Sequence, residues 1–218
     1  MSSLPRALAQ DLDVKTGREV FAIAQEADGW QLQFTGAQPP VSADLLVVTT
    51  PAPQAVKLLG DHRLATTARD VKMVPCLTMM TGFDRQLGLL FDTLKAPSPE
   101  LSWIIRNASK PGRTRLPEAW VVHASPEWSA EHLELDKQDF ADLMFTLLAE
   151  TVEVDLPKPI HLSGHRWRYA FASNPLGETF LASPEDGLFV GGDWCLGPLA
   201  EDAWRSGQAL AAAIIDNL

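Results

Sequence analysis

The feature that most constrains the fold of this chain is an apolar strand that ends on two glycines and leads into a C-terminal helix. The strand spans Gly187 to Gly192, and the helix is predicted from about Leu199 to Asn217. Glycine at the end of a buried strand allows another backbone or a ligand to approach closely. The first amides of the helix point back toward the strand end and suit a polyol or an electron-rich carbonyl. A terminal strand, turn and helix without any ligand explains the spacing equally well.

The apolar residues of this helix recur with a period of about 3.6 residues, as expected for one face packed on a core. This face is formed by Ala203, Trp204, Gly207, Leu210, Ala211, Ile214 and Ile215.

The rest of the chain mixes strands and helices without a regular strand–helix–strand rhythm. We predict a hairpin with strands at 20–24 and 30–35, and a strand over 43–50 that is buried on both faces and ended by Pro51. Further predicted elements are helices at 4–12, 53–60 and 136–150, the last with Asp136 as N-cap, and strands at 71–83, 101–106, 119–124 and 161–171. This pattern predicts a mixed α/β or α+β fold in which the two ends of the chain form one layer and the middle is inserted.

Composition excludes several classes of protein. The net charge of −10 over 218 residues argues against nucleic-acid binding. No apolar run approaches the roughly 18 residues of a membrane span, and the first residues lack the pattern of a secretory signal. Cys76 and Cys195 match no metal or redox spacing. We therefore expect a cytoplasmic protein with reduced thiols and no metal, whose partner is a small molecule rather than a nucleic acid or a membrane.

The closing segment resembles the C-terminal signature of FAD-dependent amine oxidase-like proteins, and within them of renalase-like bacterial flavoproteins. It reads Gly-Asp-Trp, a short loop, and then Glu-x-Ala-Trp-x-Ser-Gly, from Gly192 to Gly207. Stretches that fit the same group in the same order lie at 47–54, 109–113, 120–129 and 165–170. The resemblance implies a partial FAD-binding, Rossmann-like layer formed by 1–53 and 185–218, with an antiparallel-sheet substrate domain inserted at 54–184.

The same resemblance implies an activity and cofactor contacts. The reaction would be hydride transfer from a reduced amine or a dihydronicotinamide to FAD, and from there to oxygen. Asp193, after Gly192, would hydrogen-bond the ribityl or pyrophosphate part of FAD, and the strand of Val20 would contact adenine. The amides of the first helical turn would face the pyrimidine edge of the flavin; they belong to Asp202, which stands where many relatives carry glycine, to Ala203 and to Trp204.

Relatives of this kind begin with a strand–helix–strand unit whose Gly-x-Gly-x-x-Gly loop holds the pyrophosphate. This chain contains no Gly-x-Gly, and its first five residues match the middle of such proteins. We therefore expect the C-terminal two-thirds of a flavoprotein, as a truncated product or as a form without the dinucleotide unit. One alternative is a non-catalytic fragment or binding module that holds no FAD. Another is a protein-interaction domain, whose exposed apolar surface would favour a homodimer.

Several other side chains have both a structural and a functional explanation. Trp103, His123, Trp167 and Tyr169 are candidates for a substrate pocket, although aromatic residues on strands belong to the core first. His161 and His165 have the spacing of helical metal ligands, but their segment is predicted as a strand. No residue has the setting of a catalytic nucleophile.

A local concentration of positive charge stands out in this acidic chain. It consists of Arg106, Lys110, Arg113 and Arg115. Such a patch suits a nucleotide phosphate, although a solvated loop is the more common explanation.

Overall fold

The structure is a computed structural model that describes residues 3–216. Met1, Ser2 and the predicted helix end at Asn217 lie outside this range. The helices are α1 (Ser3–Leu8), α2 (Ala52–Leu59), α3 (Arg63–Ala68), α4 (Pro126–Glu131), α5 (Lys137–Val152) and α6 (Ala200–Ile215). The strands are β1 (Val20–Glu26), β2 (Gly29–Phe34), β3 (Val41–Ala43), β4 (Leu46–Val48), β5 (Lys72–Phe83), β6 (Thr93–Lys95), β7 (Leu101–Arg106), β8 (Glu118–Ala124), β9 (His161–Asn174), β10 (Leu181–Ser183) and β11 (Leu188–Val190). Across this range, every helix is too short or too polar to cross a membrane.

The strands form three sheets, and the predicted mixed α/β class is confirmed. The first sheet is the antiparallel meander β1–β2–β3, which contains the predicted hairpin. In the second, of order β10–β11–β4, β11 and β4 run parallel. The third is an antiparallel sheet of order β6–β7–β8–β5–β9. The two parallel strands come from the two end segments of the chain, 1–53 and 185–218, whose common FAD-binding layer stays a prediction.

Two hydrophobic cores hold these sheets. The first joins Trp30 of the meander to β4, β11, α2 and α3, and it includes Trp194 and Cys195. The second lies between one face of the five-stranded sheet and helices α4 and α5. The boundaries at 54 and 184 stay a prediction, although α2 and α3 pack in the first core.

Helix α5 begins at its predicted cap and packs closely on the third sheet. The Asp136 carboxylate accepts a hydrogen bond of 2.8 Å from the Gln138 amide, which satisfies one free donor of the first turn. Phe140, Met144 and Leu148 form its buried face. A Cβ on Gly164 of β9 would lie 2.5 Å from the Phe140 ring, so glycine permits this approach.

Two predictions about buried faces are wrong. The predicted strand over 43–50 is divided between β3 and β4, and Val47 is 39% exposed between buried Leu46 and Val48, so only one face of β4 is covered. The predicted apolar face of α6 is largely turned outward: Trp204 is 53% and Ile215 is 71% exposed, whereas Ser206 and Leu210 are buried. The sequence analysis also missed α3.

Asp186 joins the first sheet to the second. One carboxylate oxygen accepts a hydrogen bond of 2.9 Å from Gln25 on β1. The other accepts from the Ser183 hydroxyl and lies 3.2 Å from Nε2 of His62. The Trp30 indole donates to the Asp186 carbonyl at 2.7 Å. The hydrogen bonds to the carboxylate, first that from Ser183 and then those from Gln25 and His62, lower the pKa of Asp186 to about 2.

We expect Asp186→Asn to lower stability in a pH-dependent way. The folded-state pKa lies below the ordinary 3.8, so the carboxylate stabilises the fold fully above about pH 4 and loses this effect as the pH falls through 2. Urea unfolding should give a lower midpoint for the variant at pH 7, with a difference that shrinks between pH 4 and pH 2. Asp28→Asn, at an exposed carboxylate without an ion pair among residues 3–216, is the matched control. A difference that is independent of pH would contradict this role.

Candidate functional site

The carboxyl ends of the parallel strands β4 and β11 form one candidate site, which we call the carboxyl edge. Val48 is paired with Val190, and the Gly191 amide donates to the Val48 carbonyl at 3.0 Å. The chain then continues into Thr50 on one strand and Gly192 on the other. In open α/β sheets, ligands bind beside the carboxyl ends of parallel strands.

Helix α6 packs against this edge at Gly191 and Gly192. A Cβ on Gly191 would lie 2.6 Å from Leu210 Cδ1 and 2.7 Å from Ser206 Oγ. The Gly192 amide donates a hydrogen bond of 3.0 Å to Ser206 Oγ, which is fully buried. The predicted close approach at Gly191 is therefore made by the helix.

Asp193 follows the edge on the short helical turn Asp193–Cys195. Its half-buried carboxylate accepts from the Trp194 amide at 2.9 Å and retains capacity for further donors. Burial raises the pKa of Asp193, and the charge of Asp202 contributes in the same direction. Burial also raises the pKa of the neighbouring Cys195 thiol to about 11, so that thiol is not a reactive thiolate at neutral pH.

Val20 lines a cavity of about 360 Å³, which we call the Val20 recess. Its other lining residues are Arg18, Glu19, Phe21, Thr50, Gln54, Lys57 and Leu58. Within the described part of the chain, the buried Thr50 hydroxyl has no hydrogen-bond partner. The Thr50 carbonyl accepts from the Trp194 indole at 3.0 Å, which connects the recess to the turn that carries Asp193.

Three amides in the first turn of α6 were predicted to face the flavin, and two of them already donate hydrogen bonds within the helix. The amides of Asp202 and Ala203 donate to the Leu199 carbonyl at 3.0 and 3.3 Å, and the Asp202 carboxylate accepts from the Leu199 amide at 3.0 Å. Asp202 is thus a capping residue, which an acid at the third helical position could have signalled. Trp204 is exposed. The contact of these amides with a flavin ring stays a prediction.

A second candidate region is the face of the five-stranded sheet opposite α5. Trp103 on β7 is paired with His123 on β8. Thr78 on β5 lies opposite His123 on one side and His165 of β9 on the other. Directly paired residues share a face, and adjacent strands lie about 4.8 Å apart. We call these four residues the histidine row.

The histidine row extends along β9 through an aromatic contact. The rings of His165 and Trp167 are tilted with centroids 4.2 Å apart, and Trp167 is 44% exposed. His123 is half-buried, and this burial, followed by the charge of Lys110, lowers its pKa, so its imidazole is neutral at pH 7. Tyr169 lies in the irregularity between the pairs Val74–Phe171 and Cys76–Trp167.

The structure therefore places Trp103, His123 and Trp167 on one sheet face, with Tyr169 beside it. The sequence analysis missed Thr78, and it considered His165 only as a metal ligand. His161 lies four residues before His165 on an extended strand, roughly 13 Å away. Among residues 3–216, no three His, Cys, Asp or Glu side chains gather as metal ligands.

Strand β9 connects the two regions. Beyond its end, the Leu176 amide donates to the Trp194 carbonyl at 3.0 Å, and the Gly177 amide donates to the Cys195 carbonyl at 2.9 Å. The sheet that carries the histidine row is thus tied to the turn of the carboxyl edge.

The sequence model described as flavin containing amine oxidoreductase matches residues 1–215. A protein from Exiguobacterium sp. 255-15 assigned as a protoporphyrinogen oxidase superposes with a TM-score of 0.71 at 16% identity, covering 99% of this chain and 51% of its own. Wild-type putrescine oxidase bound to putrescine gives 0.66 at 15% identity, with 98% and 51% covered. The chain spans about half the length of these proteins, and at such identities the likeness shows the fold.

We expect Ser206→Ala to destabilise the protein, because it leaves the Gly192 amide without its acceptor where α6 packs on the end of β11. A buried donor without a partner costs about 1–3 kcal/mol. Urea unfolding at pH 7 measures this loss. Ser42→Ala, at an exposed serine, should change stability by less than about 0.5 kcal/mol. Equal effects of the two variants would show that Ser206 does not hold the helix to the strand end.

Proposed function

This chain belongs to the flavin-containing amine oxidoreductase family, and on that premise we propose that it is a flavin-dependent oxidoreductase whose cofactor is FAD. The observation that carries the proposal is the continuity of the Val20 recess, Thr50 and the carboxyl edge. A recess with an unpartnered hydroxyl adjoins, through one indole hydrogen bond, a half-buried carboxylate with free acceptor capacity. An elongated ligand that is polar along its length suits this arrangement.

The residues present fit FAD at both ends of this stretch. The Val20 recess, at about 360 Å³, accommodates an adenine ring beside the edge of β1. The buried Thr50 hydroxyl, unpartnered within residues 3–216, would offer a donor and an acceptor to a ligand that reaches it. Asp193 would accept a hydrogen bond from a ribityl hydroxyl, which would give its buried charge a partner.

When bound, FAD would supply the hydride acceptor, and it would pass the two electrons from the substrate on to oxygen. The residues of this chain then bind and orient the reactants. In the proposed arrangement, the histidine row lines the substrate side. Neutral His123 offers one acceptor nitrogen to an amine or amide N–H without repelling a cationic substrate. The exposed Trp167 ring offers an apolar contact, and a cation–π contact to an ammonium group.

We propose a reduced amine or a dihydronicotinamide as the substrate class. The bound putrescine of one structural neighbour supports the amine. The resemblance to renalase-like proteins supports the dihydronicotinamide. A reducing, cytoplasmic location belongs to the same proposal and agrees with the two free, buried cysteines.

A second candidate function is a binding module of this fold that holds no FAD. The observation in its favour is the outward apolar side of α6, where Leu199 is 60%, Trp204 is 53% and Ile215 is 71% exposed. A helix with such a side normally packs on another layer. In this case the apolar side would be covered by another polypeptide or by a second copy of the chain.

FAD titration separates the two candidates. We expect saturable quenching of FAD fluorescence by the 218-residue protein, and about tenfold weaker binding by Asp193→Ala, because a hydrogen bond to a carboxylate is lost. Asp11→Asn removes one exposed charge elsewhere and should bind as the wild type does. The melting temperature without FAD shows whether the variant folds. No binding by the wild-type protein would favour the module, and unchanged affinity of Asp193→Ala would remove Asp193 from the site.

We expect Thr50→Val to leave the stability of the free protein equal or higher and to weaken the binding of FAD. The Thr50 hydroxyl is buried without a partner, so a side chain of the same shape without it should leave the free protein at least as stable. If that hydroxyl serves the ligand, FAD affinity should fall several-fold. Thermal unfolding and FAD titration measure the two effects. Lower stability with unchanged affinity would contradict the assignment.

A further inference from the structure

A polar cavity of about 500 Å³ lies where β7 ends and β8 begins, and we call it the basic cavity. It brings together all four residues of the basic patch. The lining residues are Gln86, Asp92, Arg106, Ala108, Ser109, Lys110, Arg113, Arg115 and Glu118. Four cationic and two acidic side chains leave a net charge of +2 in a chain whose total is −10.

Arg106 forms the fixed wall of the basic cavity. Its guanidinium lies 3.4 Å from carboxylate oxygens of both Asp92 and Glu118, and its carbon lies 4.9 Å from the centroid of the Trp120 ring. It also donates to the Leu89 carbonyl. Glu118 is 2% exposed. Both acidic side chains of the cavity are therefore engaged by Arg106.

The other three cations have no counter-ion of their own. Lys110, Arg113 and Arg115 are exposed, and none of them forms an ion pair or a side-chain hydrogen bond with another residue between 3 and 216. Local hydrogen bonds nevertheless hold part of their loop. The Ser109 hydroxyl donates to the Arg106 carbonyl at 2.9 Å, and the Arg113 amide donates to the Lys110 carbonyl at 3.2 Å. Three like charges held around one cavity repel one another unless an anion lies between them.

We propose that the basic cavity binds the phosphate group of a small phosphorylated ligand. The net charge of +2 matches a phosphate dianion. Two guanidinium groups offer paired donors that fit the oxygens of phosphate, and the lysine adds a point charge. The volume lies within the range of about 300–1,000 Å³ of small-molecule sites, so an organic group fits beside the phosphate.

This site is distinct from the proposed FAD site. Strand β5 begins at Lys72, opposite Asn174, where β9 leads to Trp194 and the carboxyl edge. This strand of 12 residues ends at Phe83, which is paired with Glu118 of the basic cavity. An extended strand of this length spans roughly 35 Å. The bound phosphate is therefore not the pyrophosphate of the cofactor.

Titration of the full chain with inorganic phosphate tests the proposal at constant ionic strength. We expect saturable amide shifts in two-dimensional NMR at Ser109, Lys110 and Arg113. The double variant Lys110→Gln/Arg113→Gln changes exposed side chains only, and it should bind at least about tenfold more weakly. Arg69→Gln removes one exposed charge outside the cavity and should bind as the wild type does. Succinate, a dianion with carboxylate geometry, should bind more weakly than phosphate.

Three results would overturn the proposal. The first is the absence of saturable shifts with phosphate. The second is equal affinity of the double variant and the wild type, which would place binding elsewhere. The third is succinate binding as tight as that of phosphate, which would show a general anion site. Because FAD is not present, failure here leaves the proposed flavin function untouched.

Discussion

The packing of α6 on the end of β11 is the contact on which the proposed cofactor site depends. Only glycine at position 191 leaves room for Ser206 and Leu210, and the Ser206 hydroxyl then receives the Gly192 amide. This contact fixes where the chain turns after the strand. Trp194 can therefore donate its indole N–H to the Thr50 carbonyl and accept at its own carbonyl from Leu176. One turn thus joins the recess, the carboxyl edge and the five-stranded sheet.

The five-stranded sheet has two unlike faces. Leu77 lies on the face that α5 covers, and both Leu77 and Phe140 of α5 are fully buried. On the other face, His123 is half-buried and Trp167 is exposed. Large aromatic rings gain free energy from burial, so an aromatic face left open within residues 3–216 is typical of a surface that meets a ligand or another layer. The histidine row lies on the face that α5 does not cover, which leaves its aromatic side chains available for such a contact.

Local signals in the sequence predicted most helices and strands, but they did not predict which elements pack or pair with one another in the fold. The hairpin and the Asp136 cap depend on residues close in sequence, and both are present. Which face of a helix is buried depends on what lies beside it, so periodicity alone placed Trp204 inside when it is outside. The histidine row depends on the register of four strands, because Thr78 meets His123 and His165 only after long-range pairing. No local pattern contains that register.

The distribution of charge along the proposed FAD site indicates which part of the cofactor would lie at each end. Asp193 has a raised pKa because it is partly buried and close to Asp202, so an added phosphate there would meet repulsion. Ribityl hydroxyls, which donate hydrogen bonds to a carboxylate, avoid this repulsion. The cationic side chains near the edge, Arg18 and Lys57, line the Val20 recess instead. Of the two roles that the family resemblance implies for Asp193, the electrostatics favours the ribityl contact, with the phosphates lying toward the recess.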